Sequence, residues 1–104
     1  RRGDVEAVHS LRRGVAEALE VVARGDSKCS KVVGRRVEQI DLPRGVQIGA
    51  IVRGLEAEGG AAPRVLMAHH DTLIERDDHV IVFVPRKRML RDVERLFQVS
   101  ATFF

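Results

Sequence analysis

Residues 80 to 84 read VIVFV, an unbroken apolar run between His79 and Pro85. A membrane-spanning helix needs about 20 apolar residues, so this run is far too short to cross a bilayer. It is rich in β-branched side chains and is closed by a residue that has no N–H for a ladder, which predicts a strand. Because the run is apolar on both faces, the strand is expected at the centre of a sheet, with neighbours on either side. The rest of the chain must supply those neighbours and a layer to cover them.

Two further segments have strand character. Residues 46–52 (VQIGAIV) alternate Val46, Ile48, Ala50 and Val52 on one face, with Gly49 leaving a gap where a backbone or ligand can approach. Residues 64–68 (RVLMA) form the next, and the Gly- and Ala-rich stretch 54–63 reads as a hairpin-type loop between them. Lys31 to Val33 is expected to start a strand, residues 34–40 a short helix with Val37 and Ile40 facing inward, and residues 42–45 (LPRG) a turn. After Pro85, the residues Met89, Leu90, Val93, Leu96 and Phe97 form one helical apolar stripe suited to covering a sheet face. The other side of that helix carries Arg86, Lys87, Arg88, Arg91 and Arg95 against Asp92 and Glu94.

Toward the N-terminus, residues 5–10 (VEAVHS) suit a short strand. Residues 10–25 carry Leu11, Val15, Leu19 and Val22 at helical spacing, with Ser10 as N-cap, Gly25 as C-cap and Glu20–Arg24 as an i,i+4 pair. An amphipathic linker helix is therefore expected there. Arg24-Gly25-Asp26 falls at its end and is read as a helix stop and turn, not an adhesion motif. GDSKCS, residues 25–30, follows as a polar linker.

At 104 residues, 44% of them hydrophobic, the chain suffices for one ordinary domain and leaves no room for a second full one. It begins without Met, as expected of a piece of a longer protein, and Arg1-Arg2-Gly3-Asp4 has no apolar run behind it to make a signal peptide. Its one cysteine, Cys29, cannot form an internal disulfide, which suits a reducing compartment. The net charge of +3 permits an anionic partner without requiring one.

Chemistry, if present, would concentrate in His69 to Ile81, which holds His69, His70, His79, Asp71, Asp77, Asp78 and Glu75. Adjacent histidines on an extended chain point to opposite sides, so a preformed metal cage is not expected. The better reading is two polar turns leading into the central strand, with His79 at its start. Ser10, Ser27, Ser30 and Ser100 lie in no nucleophile elbow, Cys29 has no histidine beside it, and neither GxGxxG nor GxxxxGK[ST] occurs. No catalytic residue and no metal ligand is therefore assigned, and an enzyme is not expected. The basic helix face lacks interleaved aromatics, with no Trp or Tyr in the chain, so it reads as a solvated surface and not a nucleic-acid platform. A small basic nucleic-acid-binding module and a metal-sensing regulatory domain stand as the alternatives.

The stretches LRRG (11–14), KVVG (31–34), residues 42–54 and DVERLFQ (92–98) together make the chain resemble the TrkA-C family, the C-terminal "regulator of K+ conductance" domains of Trk potassium uptake systems. The resemblance runs from about Asp4 to Phe104. It implies an α/β (α+β) fold, a small mostly antiparallel sheet packed by a C-terminal helix and preceded by an N-terminal linker helix. It also implies that residues 1–27 are the end of a preceding nucleotide-binding domain with its linker, and that 28–104 form the regulatory domain. In such a protein NAD or an adenine nucleotide binds the preceding Rossmann domain, and no cofactor binds this part. The implied partners are a second copy of the chain and a membrane potassium transporter subunit, with a cytoplasmic location at the inner face of the membrane. The departures are a longer loop at 54–63 and Asp77 where the family turn carries glycine, a position at which aspartate tolerates positive φ. Arg53, His69 and His70 are the expected ligand contacts near a cleft, and Phe103 and Phe104 the expected interface residues.

Overall fold

A computed structural model of the chain describes residues 4–11, 16–56, 59 and 62–98. Strands β1 (Asp4–Leu11), β2 (Ala16–Val22), β3 (Gln47–Arg53), β4 (Arg64–Met67) and β5 (His79–Val84) form one sheet in the order β1-β2-β5-β3-β4. All neighbours are antiparallel. The VIVFV run is central as expected, hydrogen-bonded to β2 on one side and β3 on the other. A short helix, α1 (Leu90–Leu96), follows a 3-10 turn at Lys87–Met89. The fold is thus the small antiparallel sheet with a C-terminal helix that the sequence implied.

The core lies on one side of this sheet. Val80, Val82 and Val84 of β5 meet Leu19 and Val21 of β2, Ile48 and Ile51 of β3, and Val93 and Phe97 from the helical end, all buried. Met89, Leu90 and Leu96 complete the helical stripe, partly buried against that cluster. Fully burying one such side chain contributes about 1.5–3 kcal/mol, so this cluster is the main source of stability. Among the described residues, no second layer of helix or strand covers the opposite face. Cross-strand partners share a face, which groups Phe83 with Ala18 and Gln47, Ile81 with Glu20 and Ala50, and then Met67 and Val65 beyond β3. On that face Val65 is 69% exposed, Met67 66% and Phe83 44%.

The amphipathic helix expected over residues 10–25 is corrected: Ala16–Val22 is a strand, and residues 12–15 lie outside the described set. Leu19 and Val22 satisfy a helical period, but Glu17, Leu19 and Val21 equally satisfy a period of two, and that is the face the core takes. Pairing Glu17–Val22 with β5 supplies the second neighbour that a central strand must have, which overrides the weak helical preference of the segment. Gly25 accordingly lies in a turn at φ 86° and not at a helix end. Glu20 and Arg24 are not an i,i+4 pair; each reaches a different partner.

Three smaller expectations also change. Residues 31–33 are not a strand, and the helix expected over 34–40 is only a 3-10 turn, Val37–Gln39. A bulge between Ile48 and Ala50 shifts the alternation of β3, so that Ile48 and Ile51 enter the core while Ala50 and Val52 take the other face. Gly49 at that bulge is where the Phe83 ring lies; any Cβ there would collide with it. The gap read from sequence is therefore filled from within.

Candidate functional site

The polar residues of the chain converge where β5 begins. The turn Glu75–Asp78 enters the strand with Asp77 at φ 68°, the positive-φ conformation anticipated for an aspartate replacing glycine. Backbone bonds Asp77 N–H to Ala23 O (2.7 Å) and Ala23 N–H to Asp78 O (2.8 Å) clip this turn to the end of β2.

One step past the pair Val52–His79, Arg53 reaches Asp78. Arg53 Nε donates to Asp78 Oδ1 and Nη2 to Oδ2, each at 2.9 Å, while Nη2 also donates to Leu73 O and Nη1 lies 3.2 Å from Glu75 Oε2. Asp78 is 1% exposed and takes a further bond from Glu75 N–H. Its side-chain hydrogen bonds to Arg53 hold the guanidinium pKa above its usual value. A bidentate Arg–carboxylate fork is the geometry that makes such a buried charge tolerable.

On the other sheet face, His79 sits between two carboxylates. Its Nδ1 is 2.9 Å from Glu20 Oε2 and its Nε2 2.8 Å from Glu56 Oε2. Arg24 Nη1 then bridges Glu56 and Asp77, at 3.0 Å each. Burial is the largest single influence on His79 and disfavours its charge, but the hydrogen bonds that Glu56 and Glu20 accept, with their negative charges, outweigh it and hold the pKa above 6.5. The same contacts, His79 first and Arg24 second, hold Glu56 below the ordinary carboxylate range.

His69 and His70 stand apart from this cluster, both exposed, in a turn closed by His69 N–H to Thr72 Oγ1 (2.9 Å) and docked on residue 38 through Glu38 N–H to His70 O (2.9 Å). Arg53 touches this loop only at Leu73 O, and no hydrogen bond or ion pair joins it to either imidazole. Among the described residues, no three His, Cys, Asp or Glu side chains converge as metal ligands. No buried side-chain nitrogen or oxygen among them lacks a partner. Phe103 and Phe104 lie outside the described residues. Cys29 donates its thiol to Asp26 Oδ1, which also takes the N–H groups of Lys28 and Cys29; this lowers the Asp26 pKa.

The basic helical side is exposed as anticipated, with a depression of 590 Å³ lined by Arg44, Pro85, Arg86, Arg88, Met89 and Asp92. No helix among the described residues is long and apolar enough to cross a membrane.

Sequence reasoning singled out Arg53 but missed Glu20, Arg24 and Glu56 as members of one cluster. Glu20 is 59 residues from His79 and Glu56 is 23, so no local spacing could join them. The usable signal was only that a histidine opening a central strand needs polar company.

The family model described as the TrkA-C domain matches residues 28–98. The chain is 60% identical over 104 residues to the Trk system potassium uptake protein TrkA of Halomonas elongata, covering all of the chain and 21% of that protein. It is 54% identical over 103 residues to the protein of the same name from Vibrio alginolyticus and 40% over 103 residues to that from Haemophilus influenzae, covering 99% of the chain and 21% of each relative. The chain thus spans about a fifth of the length of these relatives.

Proposed function

The chain belongs to the TrkA-C domain family, and on that premise we propose that it is a non-catalytic regulatory domain of a cytoplasmic potassium-uptake subunit. The domain pairs with a second copy of itself and relays ligand occupancy to a membrane-bound potassium transporter. The observation that carries this reading is the end-to-end 60% identity with a potassium uptake protein.

In this account residues 1–27 lead from a preceding nucleotide-binding domain, which holds NAD or an adenine nucleotide, and residues 28–104 are the regulatory unit. The β1–β2 hairpin then serves as a mechanical link, because β2 is hydrogen-bonded directly to the central strand. A shift imposed on the hairpin reaches the core without crossing a flexible joint. The ligand favours one of two arrangements of the paired domains, and the transporter senses the difference.

Self-association is supported by the exposed Val65, Met67 and Phe83 and the half-buried Ile81 on the second sheet face, which a symmetric partner would bury. Phe103 and Phe104, outside the described residues, are assigned to an interface as well. His69 and His70, exposed on one turn, are the contacts for a regulatory ligand, with Arg53 holding the base of that turn at Leu73. Titration with NADH and with ATP tests the assignment: neither binds this chain in the micromolar range if the nucleotide site lies in another domain, and micromolar binding of either contradicts the reading.

A further inference from the structure

Carboxylate oxygens accept hydrogen bonds and cannot donate them, whereas a neutral imidazole has a single N–H. The contacts from His79 Nδ1 to Glu20 and from Nε2 to Glu56 are both within 2.9 Å, so both are bonds only when the ring carries two protons. In the neutral ring one nitrogen lone pair would face a carboxylate oxygen at that distance. The two partners differ in what holds them. Glu20 lies within β2, a strand paired on both sides. Glu56 lies three residues beyond β3, in the loop that leads to the edge strand β4, and is exposed.

Among the described residues, charged groups reach this place from several elements. β2 supplies Glu20, the segment after it Arg24, the loop after β3 Glu56, and the turn before β5 Asp77. Arg53, Asp78 and Glu75 form the adjoining network across the start of the strand. Among the described residues, Arg24 meets Glu56 and Asp77 but not Glu20, so the imidazolium is the cation that Glu20 faces.

We propose that His79 is a proton-operated latch for the segment that leaves β3, tying Glu56 to Glu20 when both ring nitrogens are protonated and giving up the Glu56 contact when Nε2 gives its proton to solvent. The neutral ring keeps one N–H and keeps it on Glu20, whose backbone is paired on both sides, so the contact beyond β3 is the one that yields. Among the described residues, Glu56 then keeps Arg24 as its partner. This makes the domain responsive to pH with no ligand bound, independently of the potassium-uptake reading.

Imidazole titration by NMR, run on the whole chain beside amide hydrogen exchange corrected for its intrinsic pH dependence, tests the latch. Exchange at Gly54, Leu55 and Glu56 should rise several-fold with the same midpoint as the His79 titration. Glu56→Gln, at an exposed position, should lower that midpoint and abolish the step; His70→Gln should change neither. Loop exchange that stays flat while His79 titrates, or a step that survives in Glu56→Gln, overturns the proposal.

Discussion

Arg53 and Asp78 meet through a two-pronged fork, both bonds 2.9 Å, with the aspartate 1% exposed and the arginine side chain 21%. The fork ties the last residue of β3 to the residue just before β5. Removing the cation leaves a buried carboxylate uncompensated, so Arg53→Met should cost about 3–5 kcal/mol. Arg53→Lys should recover only part of that, because an ammonium cannot reproduce the fork. Urea denaturation of the two variants and of Asp78→Asn checks the order, and equal stability of wild type and Arg53→Met would refute the role assigned to this pair.

The latch also has a signature in stability against pH. His79 is raised above 6.5 on folding, so its contribution is fully present below 6.5 and is lost as pH rises through the folded value. Glu56 is lowered below 4.5, so its contribution is present above 4.5 and is lost as pH falls through its folded value. The His79–Glu56 contact is therefore fully present between 4.5 and 6.5. Urea midpoints measured across this range should fall on both sides of it, and the alkaline fall should be smaller in Glu56→Gln.

Asp77 occupies a left-handed conformation at φ 68°, where a β-branched side chain is strained by about 1–3 kcal/mol. Asp77→Val should therefore lower the thermal midpoint clearly. Asp77→Gly should stay close to wild type, since the relief of strain offsets the exposed ion pair with Arg24, which contributes about 0–1 kcal/mol. Calorimetry of the two variants separates backbone conformation from charge.

At Gly49 the obstacle to a side chain is the Phe83 ring on the neighbouring strand. Gly49→Ala should destabilise by about 1–3 kcal/mol, the usual range for overpacking. In a Phe83→Ala background the same change should cost far less. A double-mutant cycle measures this coupling, and additive effects would show that the ring does not lie over the glycine.

Strands β3, β4 and β5 and helix α1 were legible as elements, with stops at Gly54 after β3 and Pro85 after β5, but the bulge between Ile48 and Ala50 hid which face of β3 enters the core. Residues 16–22 were not, because Ala16-Glu-Ala-Leu-Glu-Val-Val22 fits a helix by composition and a strand by alternation, and only the demand of β5 for a second neighbour decides it. The positive φ at Asp77 was anticipated through the family resemblance, whose turn carries glycine at that position. The His79 cluster was not, because it is assembled from β2, the loop after β3 and β5 by the register of the sheet. The same register put Arg53 against Asp78, which gives that arginine partners inside the domain.

Sedimentation equilibrium of the chain is the most direct test of a regulatory domain that works in pairs. The account predicts twice the 11.6 kDa chain mass, reverting to the single mass when Met67→Glu places a charge on the exposed strip. A mass of 11.6 kDa at every concentration would contradict it.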